Sequence, residues 1–431
     1  MARISKLGAF TAVLLGCLHP AQSAVYYVDH TGGSDGNSGT ATTVAWQSLA
    51  RIRQTHLNPG DFVLLKRGET WGEQLQINAS GSDGAPITFG AYGTGNMPAI
   101  DGTNLTLAAQ TGLVNASARS YLVLNGLEVR NSQRDGVVPY MANFLAIRNC
   151  RIHDNQFNGI LAFNGNNTTI EDSEIYANSL DLTNSYAGIL IDGNGGPQAG
   201  FLISNNYIHD NIGGQGWQSA NGIYLGHTGS NIPNLANVVI AGNDISRNGN
   251  PNQNQAGRGI SGSFTGDVSV TGNTVSRNAS AGIYLGDVGL VLTINISQNV
   301  FYDNALRQFG GITGGSALAT QNLLLVDNPN ITGMGAEIGG TGPWTLVNNM
   351  FAFTTQTSDA YRGFIRINNP EQDSLLQSDY NTFYSAGPNR WLPSNGAVLS
   401  FAAWQAAGYD AHSANPRLAA YDAPSVNPRR Q

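Results

Sequence analysis

The stretch SNNYIHDN (Ser204–Asn211) decides the fold, because its pattern returns along much of the chain. In each copy an apolar residue is followed by two variable residues and then by asparagine. The other copies are RNCRIHDN (Arg148–Asn155), EDSEIYAN (Glu171–Asn178), AGNDISRN (Ala241–Asn248), TGNTVSRN (Thr271–Asn278) and SQNVFYDN (Ser297–Asn304). Successive copies begin 23 to 37 residues apart, a spacing typical of repeats that stack into a solenoid.

A second apolar segment follows each of these asparagines and begins with Gly-Ile, as in GILAF at Gly159 and GIYLG at Gly222. Fixed words at variable spacing are what stacked coils give when the loops between their strands differ in length. Asparagines at equivalent positions would then lie above one another, and their amides would hydrogen-bond along the stack. The sequence therefore predicts an all-β, single-domain parallel β-helix.

From Tyr26 to Pro416 the pattern resembles the right-handed parallel β-helix of the pectate-lyase-like superfamily. Trp46–Leu57 has helical spacing with Ser48 as an N-cap, so we expect a short N-terminal capping helix. Phe401–Pro416 resembles the helix and tail that close such proteins. The expected organisation is a signal peptide (1–24), an N-terminal strand and capping helix (25–60), the β-helix (61–400) and a C-terminal helix and tail (401–431).

Charge and leader sequence limit the classes of partner. Charged residues make up only 11% of the chain and the net charge is −7, so nucleic acid is not an expected partner. A basic start, an apolar run and AQSA predict export, to the periplasm or the medium, although LLGC also resembles a lipoprotein box that would anchor Cys17. No later run is apolar for long enough to span a bilayer. We expect a monomer.

Side chains alternate along a strand, so the Gly-Ile segments should turn one set of residues outward. Stacking would then assemble a surface of aromatic, acidic and histidine side chains that suits a polysaccharide or oligosaccharide. The strand residues of this surface are Phe163, Asp192, Tyr224, His227, Tyr284 and Asp287, and the loops before the strands add Asp181, Trp217, Gln218, Arg258 and Arg307.

Two kinds of reaction suit these residues. Hydrolysis needs a carboxyl pair roughly 5–9.5 Å apart; Asp192 and Asp287 are three coils or about 14 Å apart, whereas Asp181 or His227 is an easier partner for Asp192. In elimination or epimerisation of a uronate polymer, His227 or Tyr224 would remove a proton and Arg258 would neutralise the carboxylate. The charge balance slightly favours hydrolysis. A non-catalytic glycan-binding or adhesion protein is the alternative.

The resemblance locates a site without choosing the reaction. Similar alginate epimerases carry Asp-Pro-His-Asp after Gly-Ile, whereas GILIDG and GIYLGH here keep one Asp and one His. The Asp-rich signatures of polygalacturonase-like hydrolases are absent, and Lys66 is poorly placed to be the base of a lysine-dependent lyase.

Two other features have structural interpretations. The His-Asp pairs of the IHDN words occupy a position that other copies fill with Tyr-Ala or Ser-Arg, so we expect them to decorate a bend. Asp29, Asp35 and Asn37 offer the oxygen ligands that calcium prefers, although a turn-rich loop explains them equally well.

Overall fold

The chain winds into successive coils of three short strands, and equivalent strands pair in parallel from coil to coil. The computed structural model describes residues 23–181, 186–193, 196–213, 220–226, 234–250, 257–288, 292–356, 359, 361–388 and 390–416. Residues 1–22 of the predicted leader, which include Cys17, lie outside these ranges, as do Trp217, Gln218 and His227. Among the described residues, three parallel sheets run the length of the molecule, which confirms the predicted β-helix.

The strands of sheet 1 are Val25–Val28, Phe62–Lys66, Ile87–Tyr92, Leu122–Asn125, Asn143–Arg148, Asn166–Glu171, Pro197–Ser204, Asn234–Ala241, Thr265–Thr271, Leu292–Ser297, Ser316–Thr320, Trp344–Val347 and Gln377–Asp379. Those of sheet 2 are Thr70–Trp71, Ala99–Asp101, Glu128–Arg130, Arg151–His153, Glu174–Tyr176, Tyr207–His209, Asp244–Ser246, Thr274–Ser276, Val300–Tyr302, Leu323–Val326, Met350–Phe353 and Thr382–Ser385. Those of sheet 3 are Leu75–Gln76, Gly112–Asn115, Asp135–Val138, Ile160–Phe163, Ala187–Asp192, Asn221–Gly226, Ile260–Ser263, Ala281–Val288, Arg307–Thr313, Met334–Gly340, Ile365–Ile367 and Trp391–Leu392.

The core is built from columns of apolar residues that repeat at the same position in every coil. In sheet 2, Ile152, Ile175, Ile208 and Ile245 pair directly with one another and are fully buried. Each coil therefore buries its apolar face against its neighbours, as expected for a solenoid.

The predicted asparagine ladder lies at the bend between sheets 2 and 3. It runs through Asn155, Asn178, Asn211, Asn248, Asn278 and Asn304, and each side-chain amide donates to the next residue at 2.7–3.1 Å. Gln308 ends the ladder by accepting from the Asn304 amide at 3.0 Å. The ladder satisfies buried polar groups at a bend where the sheets leave them unpaired.

A second ladder follows the bend between sheets 1 and 2. Amides of Asn206, Asn243, Asn273, Asn299, Asn322, Asn349 and Asn381 bond in sequence at 2.9–3.1 Å. Asn381 then donates to the buried carboxylate of Asp410 at 2.9 Å. The second ladder therefore extends farther along the molecule than the repeated words predict.

The ladder also explains why glycine precedes isoleucine in the repeated words. A Cβ atom at Gly222 would lie 2.7 Å from the Gly259 carbonyl oxygen and 2.9 Å from the Asn248 amide nitrogen. Only glycine leaves room for the ladder asparagine at this bend.

Short helices occur beside the coils. The N-terminal helix, Leu49–Gln54, begins at Ser48, whose side chain accepts from the Arg51 amide at 3.1 Å. A 3-10 turn, Thr42–Val44, precedes this helix, and helices Gln372–Leu375 and Phe401–Ala406 lie toward the C-terminus. Over the described residues, no helix combines the length and apolar character needed to cross a membrane.

The His-Asp pairs of the IHDN words contact neighbouring side chains on the outer face of sheet 2. His153 hydrogen-bonds to Asp154 at 2.7 Å and to Glu128 at 3.1 Å. Tyr176 stacks on His153 on one side and on His209 on the other, with ring centroids 4.6 and 5.1 Å apart. These contacts support the structural interpretation of the repeated pairs.

Candidate active site

The outer face of sheet 3 gathers the candidate residues on neighbouring coils. In strand Asn221–Gly226, Ile223 and Leu225 belong to the main core, whereas Tyr224 packs outside it with Leu190 and Ala187. The predicted alternation is therefore observed. The expected open surface is not: Tyr224 is only 2% exposed and Asp192 only 5%. Alternation gives the direction of a side chain but not what covers it.

Tyr224 has a buried hydroxyl group with no hydrogen-bond partner among the described residues. Burial raises the pKa of Tyr224 to about 12; the positive charge of Arg258 opposes this shift and the negative charge of Asp192 adds to it. The resting phenol therefore keeps its proton at neutral pH. A buried hydroxyl without a partner is costly, so this group is suited to contact a ligand.

Arg258 lies one coil beyond Tyr224, just before strand Ile260–Ser263. Its Nη1 donates to Ser261 Oγ at 3.0 Å, and its backbone N–H donates to Asn221 Oδ1 at 3.0 Å. Burial lowers the pKa of Arg258 to about 10, so the guanidinium remains charged at neutral pH. The Arg258 side chain is thus a fixed, buried cation on the outer face of sheet 3, which we call the wall.

Tyr284 lies between two guanidinium groups on adjacent coils. The Arg258 guanidinium carbon is 4.5 Å from the ring centroid, and that of Arg307 is 4.8 Å away. Arg307 also forms an ion pair with Glu337, which accepts from Asn368 at 2.9 Å. Sequence reasoning missed Glu337, although it occupies in GAEIGG the outward position that Tyr224 occupies in GIYLGH.

Asp192 ends its strand beside a second buried polar group. Its Oδ1 accepts from the Gly193 amide at 2.5 Å. Gln198 is buried, and neither polar atom of its side chain has a hydrogen-bond partner within the described ranges. A Cβ atom added at Gly193 would lie only 1.7 Å from the side-chain nitrogen of Gln198, so the Gln198 amide lies directly against Gly193. Nothing in the repeated words indicated Gln198.

The structure separates Asp181 from Asp192. The Asp181 amide donates to the Gln156 carbonyl at 2.8 Å, and the Asp181 charge contributes, after burial, to raising the pKa of Tyr186. Tyr186 directly precedes strand Ala187–Asp192, whereas Asp192 ends it. Since a six-residue strand spans roughly 16 Å, the geometry is wrong for the carboxyl pair expected from these two residues.

The other candidates contribute unequally. Phe163 pairs in register with Asp192 and stacks on Tyr140 at a centroid distance of 5.2 Å. Asp287 lies within strand Ala281–Val288, but its side chain is outside the described set, as are Trp217, Gln218 and His227. The described part of the wall therefore consists of Asp192, Tyr224, Arg258, Tyr284 and Arg307, with Phe163 beside Asp192.

The three suggested calcium ligands have structural partners. Asp29 accepts from Lys66 Nζ at 2.7 Å, and Asn37 donates to the Ala45 carbonyl at 3.0 Å. Asp35 accepts from the backbone amides of Gln47 and Ser48 at 3.0 and 2.9 Å. Across the described ranges, no group of three or more His, Cys, Asp or Glu side chains could hold a metal ion.

Similar structures share this architecture at low sequence identity. A GH136 lacto-N-biosidase from Eubacterium ramulus is 16% identical, with a TM-score of 0.57, and the match covers 84% of this chain and 68% of that one. The A-module of a mannuronan C-5 epimerase from Azotobacter vinelandii is 14% identical, with a TM-score of 0.51 and coverage of 85% and 91%. A surface adhesin of Streptococcus pneumoniae is 14% identical, with a TM-score of 0.52 and coverage of 78% and 83%. Likeness at this level shows the fold alone.

A curated relative and a family model also match the sequence. Alpha-1,3-galactosidase A of Akkermansia muciniphila is 34% identical over 95 residues, which are 20% of this chain and 16% of that protein. This chain therefore matches only a small part of its relative. The family model described as a right handed beta helix region matches residues 125–351. This match spans more than half of the chain and includes the first ladder, the second ladder as far as Asn349 and the wall of sheet 3, so the protein belongs to the right-handed β-helix family.

Proposed function

We propose that this protein is an enzyme that acts on a polysaccharide at the outer face of sheet 3. The observation that carries the proposal is the buried Tyr224 hydroxyl, which has no hydrogen-bond partner among the described residues and lies in the electrostatic range of both Asp192 and Arg258. The three residues lie on successive coils, joined by the pairing of Leu190 with Tyr224 and of Tyr224 with Ser261. A perturbed acid, a carboxylate and a fixed cation in one wall are typical of a catalytic site.

We propose proton removal beside a uronate carboxylate as the reaction. The acidic composition of the chain argues against an anionic substrate unless cations are concentrated locally. Arg258 and Arg307 supply that concentration, because both guanidinium groups contact Tyr284 and one carboxylate, Glu337, pairs with Arg307. Arginine suits this role because its planar donors match a carboxylate.

In this mechanism each residue has one task. Arg258 neutralises the uronate carboxylate and so makes the neighbouring C–H more acidic. Asp192 accepts that proton, and the electron pair of the C–H bond forms a carbon–carbon double bond as the bond to the leaving oxygen breaks. Tyr224 gives its proton to the leaving oxygen, and a proton passing from Asp192 through water restores the phenol. General acid–base steps of this kind contribute about 10²- to 10⁴-fold each to rate.

Hydrolysis is the second candidate, favoured by the curated relative, which is a galactosidase by name. Asp192 would be one of the two carboxyl groups. Asp181 would not be the partner carboxyl group, because it lies toward the other end of the strand. A binding role is the third candidate, and one of the similar structures is by name a surface adhesin of Streptococcus pneumoniae. For each function we propose that the protein works as a monomer outside the cytoplasm, in the medium or the periplasm.

The test is a screen of the purified protein against polygalacturonate, alginate, chondroitin sulfate, xylan, galactan and α-1,3-glucan. Ultraviolet absorbance of unsaturated ends, total reducing ends and the stereochemistry of the uronate are read in parallel. Unsaturated ends on a uronate polymer are the expected result, and inversion at C5 without cleavage would assign the same proton removal to an epimerase. New reducing ends without unsaturation would overturn the proposal in favour of hydrolysis. Silence on all six polymers would favour binding alone.

A further inference from the structure

Four aromatic side chains cluster at the bend from sheet 3 to sheet 1, close to the N-terminal side of the wall. Tyr121 stacks on Phe144 with ring centroids 4.5 Å apart, and Tyr140 stacks on Phe163 at 5.2 Å. Tyr140 is 39% exposed and Phe144 46% exposed. We call Tyr121, Tyr140, Phe144 and Phe163 the aromatic corner.

The backbone at this corner is unfavourable for aromatic residues. Tyr121 and Phe144 directly precede the register partners Leu122 and Leu145, and both have a left-handed φ of 56°. The next coils place Asn167 and Gly200 at the same position, also with positive φ. Asparagine and glycine adopt this conformation readily, whereas a bulky side chain there is an outlier. Because the Phe144 side chain is 46% exposed, burial of its ring does not offset the free-energy cost of this backbone conformation. This suggests a functional role.

A groove lies directly beside the strained aromatic pair. It has a volume of about 490 Å³, and its lining includes Tyr121, Phe144, Asp83, Arg148, Asn167 and Thr169. The volume is within the range of small-ligand sites. Ring faces bordered by hydroxyl, amide and charged groups match a pyranose, whose C–H face packs on aromatic rings while its hydroxyl groups form hydrogen bonds.

The aromatic corner is continuous with the wall of sheet 3. Phe163, which stacks on Tyr140, is the register partner of Asp192 on the adjacent coil. The bend from Tyr140 to Phe144 then joins this position to the groove. A polymer bound at Asp192 could therefore continue over Phe163 and Tyr140 toward Tyr121 and Phe144.

We propose that the aromatic corner binds sugar residues of the polysaccharide that are distant from the reacting bond. This proposal rests on the proposed function for the direction of the chain, but not for the sugar-binding chemistry of the corner itself. Its consequence is that the corner increases affinity for long chains and contributes little to a substrate too short to reach it.

The test uses Phe144→Asn, because asparagine occupies the same backbone position in the next coil. Electrophoresis through gels containing polygalacturonate, alginate, xylan or α-1,3-glucan should retard the wild-type protein on at least one polymer. Phe144→Asn should weaken that affinity at least fivefold, while leaving turnover of a tetrasaccharide cut from the same polymer unchanged. The melting temperature should stay the same or rise, because the backbone strain is relieved.

Tyr380→Asn is the matched control. Tyr380 also has a positive φ, 55°, and is 57% exposed, but it stacks on His412 near the C-terminus. This variant should keep wild-type retardation. Equal retardation of Phe144→Asn and wild type, or no retardation of wild type on any of the four polymers, would overturn the proposal.

The gels, read together with the turnover measurements, separate failure of this proposal from failure of the proposed function. If Phe144→Asn loses affinity but wild type cleaves or epimerises no polymer, the corner stands and the enzymatic function falls. If Asp192→Asn abolishes turnover while Phe144→Asn binds normally, the enzyme stands and the corner falls.

Discussion

Arg258 holds its guanidinium carbon 4.5 Å from the ring centroid of Tyr284 on the neighbouring coil. This contact fixes the plane of a buried cation, which can then meet a carboxylate without rearrangement. Preorganised charge of this kind is a major contributor to enzymatic rate.

We expect Arg258→Met to lower kcat/KM on the uronate polymer by about 10²-fold, the usual scale for losing one preorganised donor. Arg258→Lys should recover only part of the loss, because a lysine lacks the planar fork. Steady-state kinetics on the polymer found in the screen measures both. Arg277→Met is the control, since Arg277 lies 5.2 Å from Tyr302 in an equivalent contact on sheet 2. A similar loss in that variant would contradict a specific role for Arg258.

Tyr224→Phe removes the proposed proton donor and little else. Turnover should fall by about 10²- to 10⁴-fold. The free energy of unfolding should stay the same or increase by about 1 kcal/mol, because a buried hydroxyl without a partner is lost. Steady-state kinetics measures the loss of turnover, and urea denaturation measures the change in the free energy of unfolding. Tyr92→Phe is a matched control, because Tyr92 also has a buried hydroxyl without a hydrogen-bond partner in the described part of the chain, but on sheet 1. Full activity in Tyr224→Phe would rule out the phenol as the acid.

Asp135 predicts a dependence of stability on pH. It is buried at the start of a sheet 3 strand, where its Oδ1 accepts from the amide and side chain of Asn158 at 3.0 and 2.8 Å. Burial raises its pKa to about 6 from an ordinary value of 3.8. The folded state therefore holds this proton more tightly than the unfolded chain does. The resulting stabilisation is complete below pH 3.8 and is lost as the pH rises through 6, an effect of about 3 kcal/mol.

Asp135→Asn should remove this dependence while keeping an oxygen acceptor for Asn158. Relative to wild type, we expect the variant to gain up to about 3 kcal/mol between pH 4 and pH 7. Urea denaturation at both values gives the difference, and other carboxyl groups cancel in it. An identical pH profile for the two proteins would show that Asp135 does not titrate in this range.

Asn248 tests the ladder. It is fully buried, accepts from the Asn211 side chain at 2.8 Å and donates to Asn278 at 3.0 Å and to the Ile208 carbonyl at 3.2 Å. Asn248→Ala leaves several buried partners unsatisfied, so we expect a loss of about 3 kcal/mol or more in unfolding free energy. Denaturation against the exposed control Asn104→Ala measures it. Equal stabilities would mean that water replaces the amide.

The sequence predicted the column of asparagines because each side-chain amide hydrogen-bonds to the equivalent asparagine on the next coil. Such a position cannot be varied freely, so the residue recurs in the repeated words. The second ladder was only partly visible. Asn322, Asn349 and Asn381 belong to it, but the words around them lack the paired asparagine of the first ladder, which has ended by then. The direction of Tyr224 followed from alternation. Its burial did not, because coverage of an outer face depends on loops whose path has no periodicity.

The candidate site was predicted less completely for the same reason. Tyr224 and Tyr284 were named because they occupy strand positions whose neighbours are set by register, and Arg258 was named because it lies just before such a strand. Asp181 was wrongly paired with Asp192, because nothing in the repeat shows which end of a strand a loop residue faces. Gln198 was missed, since nothing in the repeated words places its side chain against Gly193.

The amide of Gln308 gives the first ladder an end inside the molecule. Beyond it the same corner is filled by aromatic rings: a Cβ at Gly335 would lie 2.8 Å from Phe351, where earlier glycines face a ladder amide. This corner is therefore polar, lined by asparagines, in the coils up to Gln308, and apolar, filled by aromatic rings, in the coils beyond it. We expect that a foreign coil lacking the asparagine can be inserted most readily just after this junction. The soluble yield of such chimeras, compared with that of insertions between residues 211 and 248, measures how far coils can be exchanged.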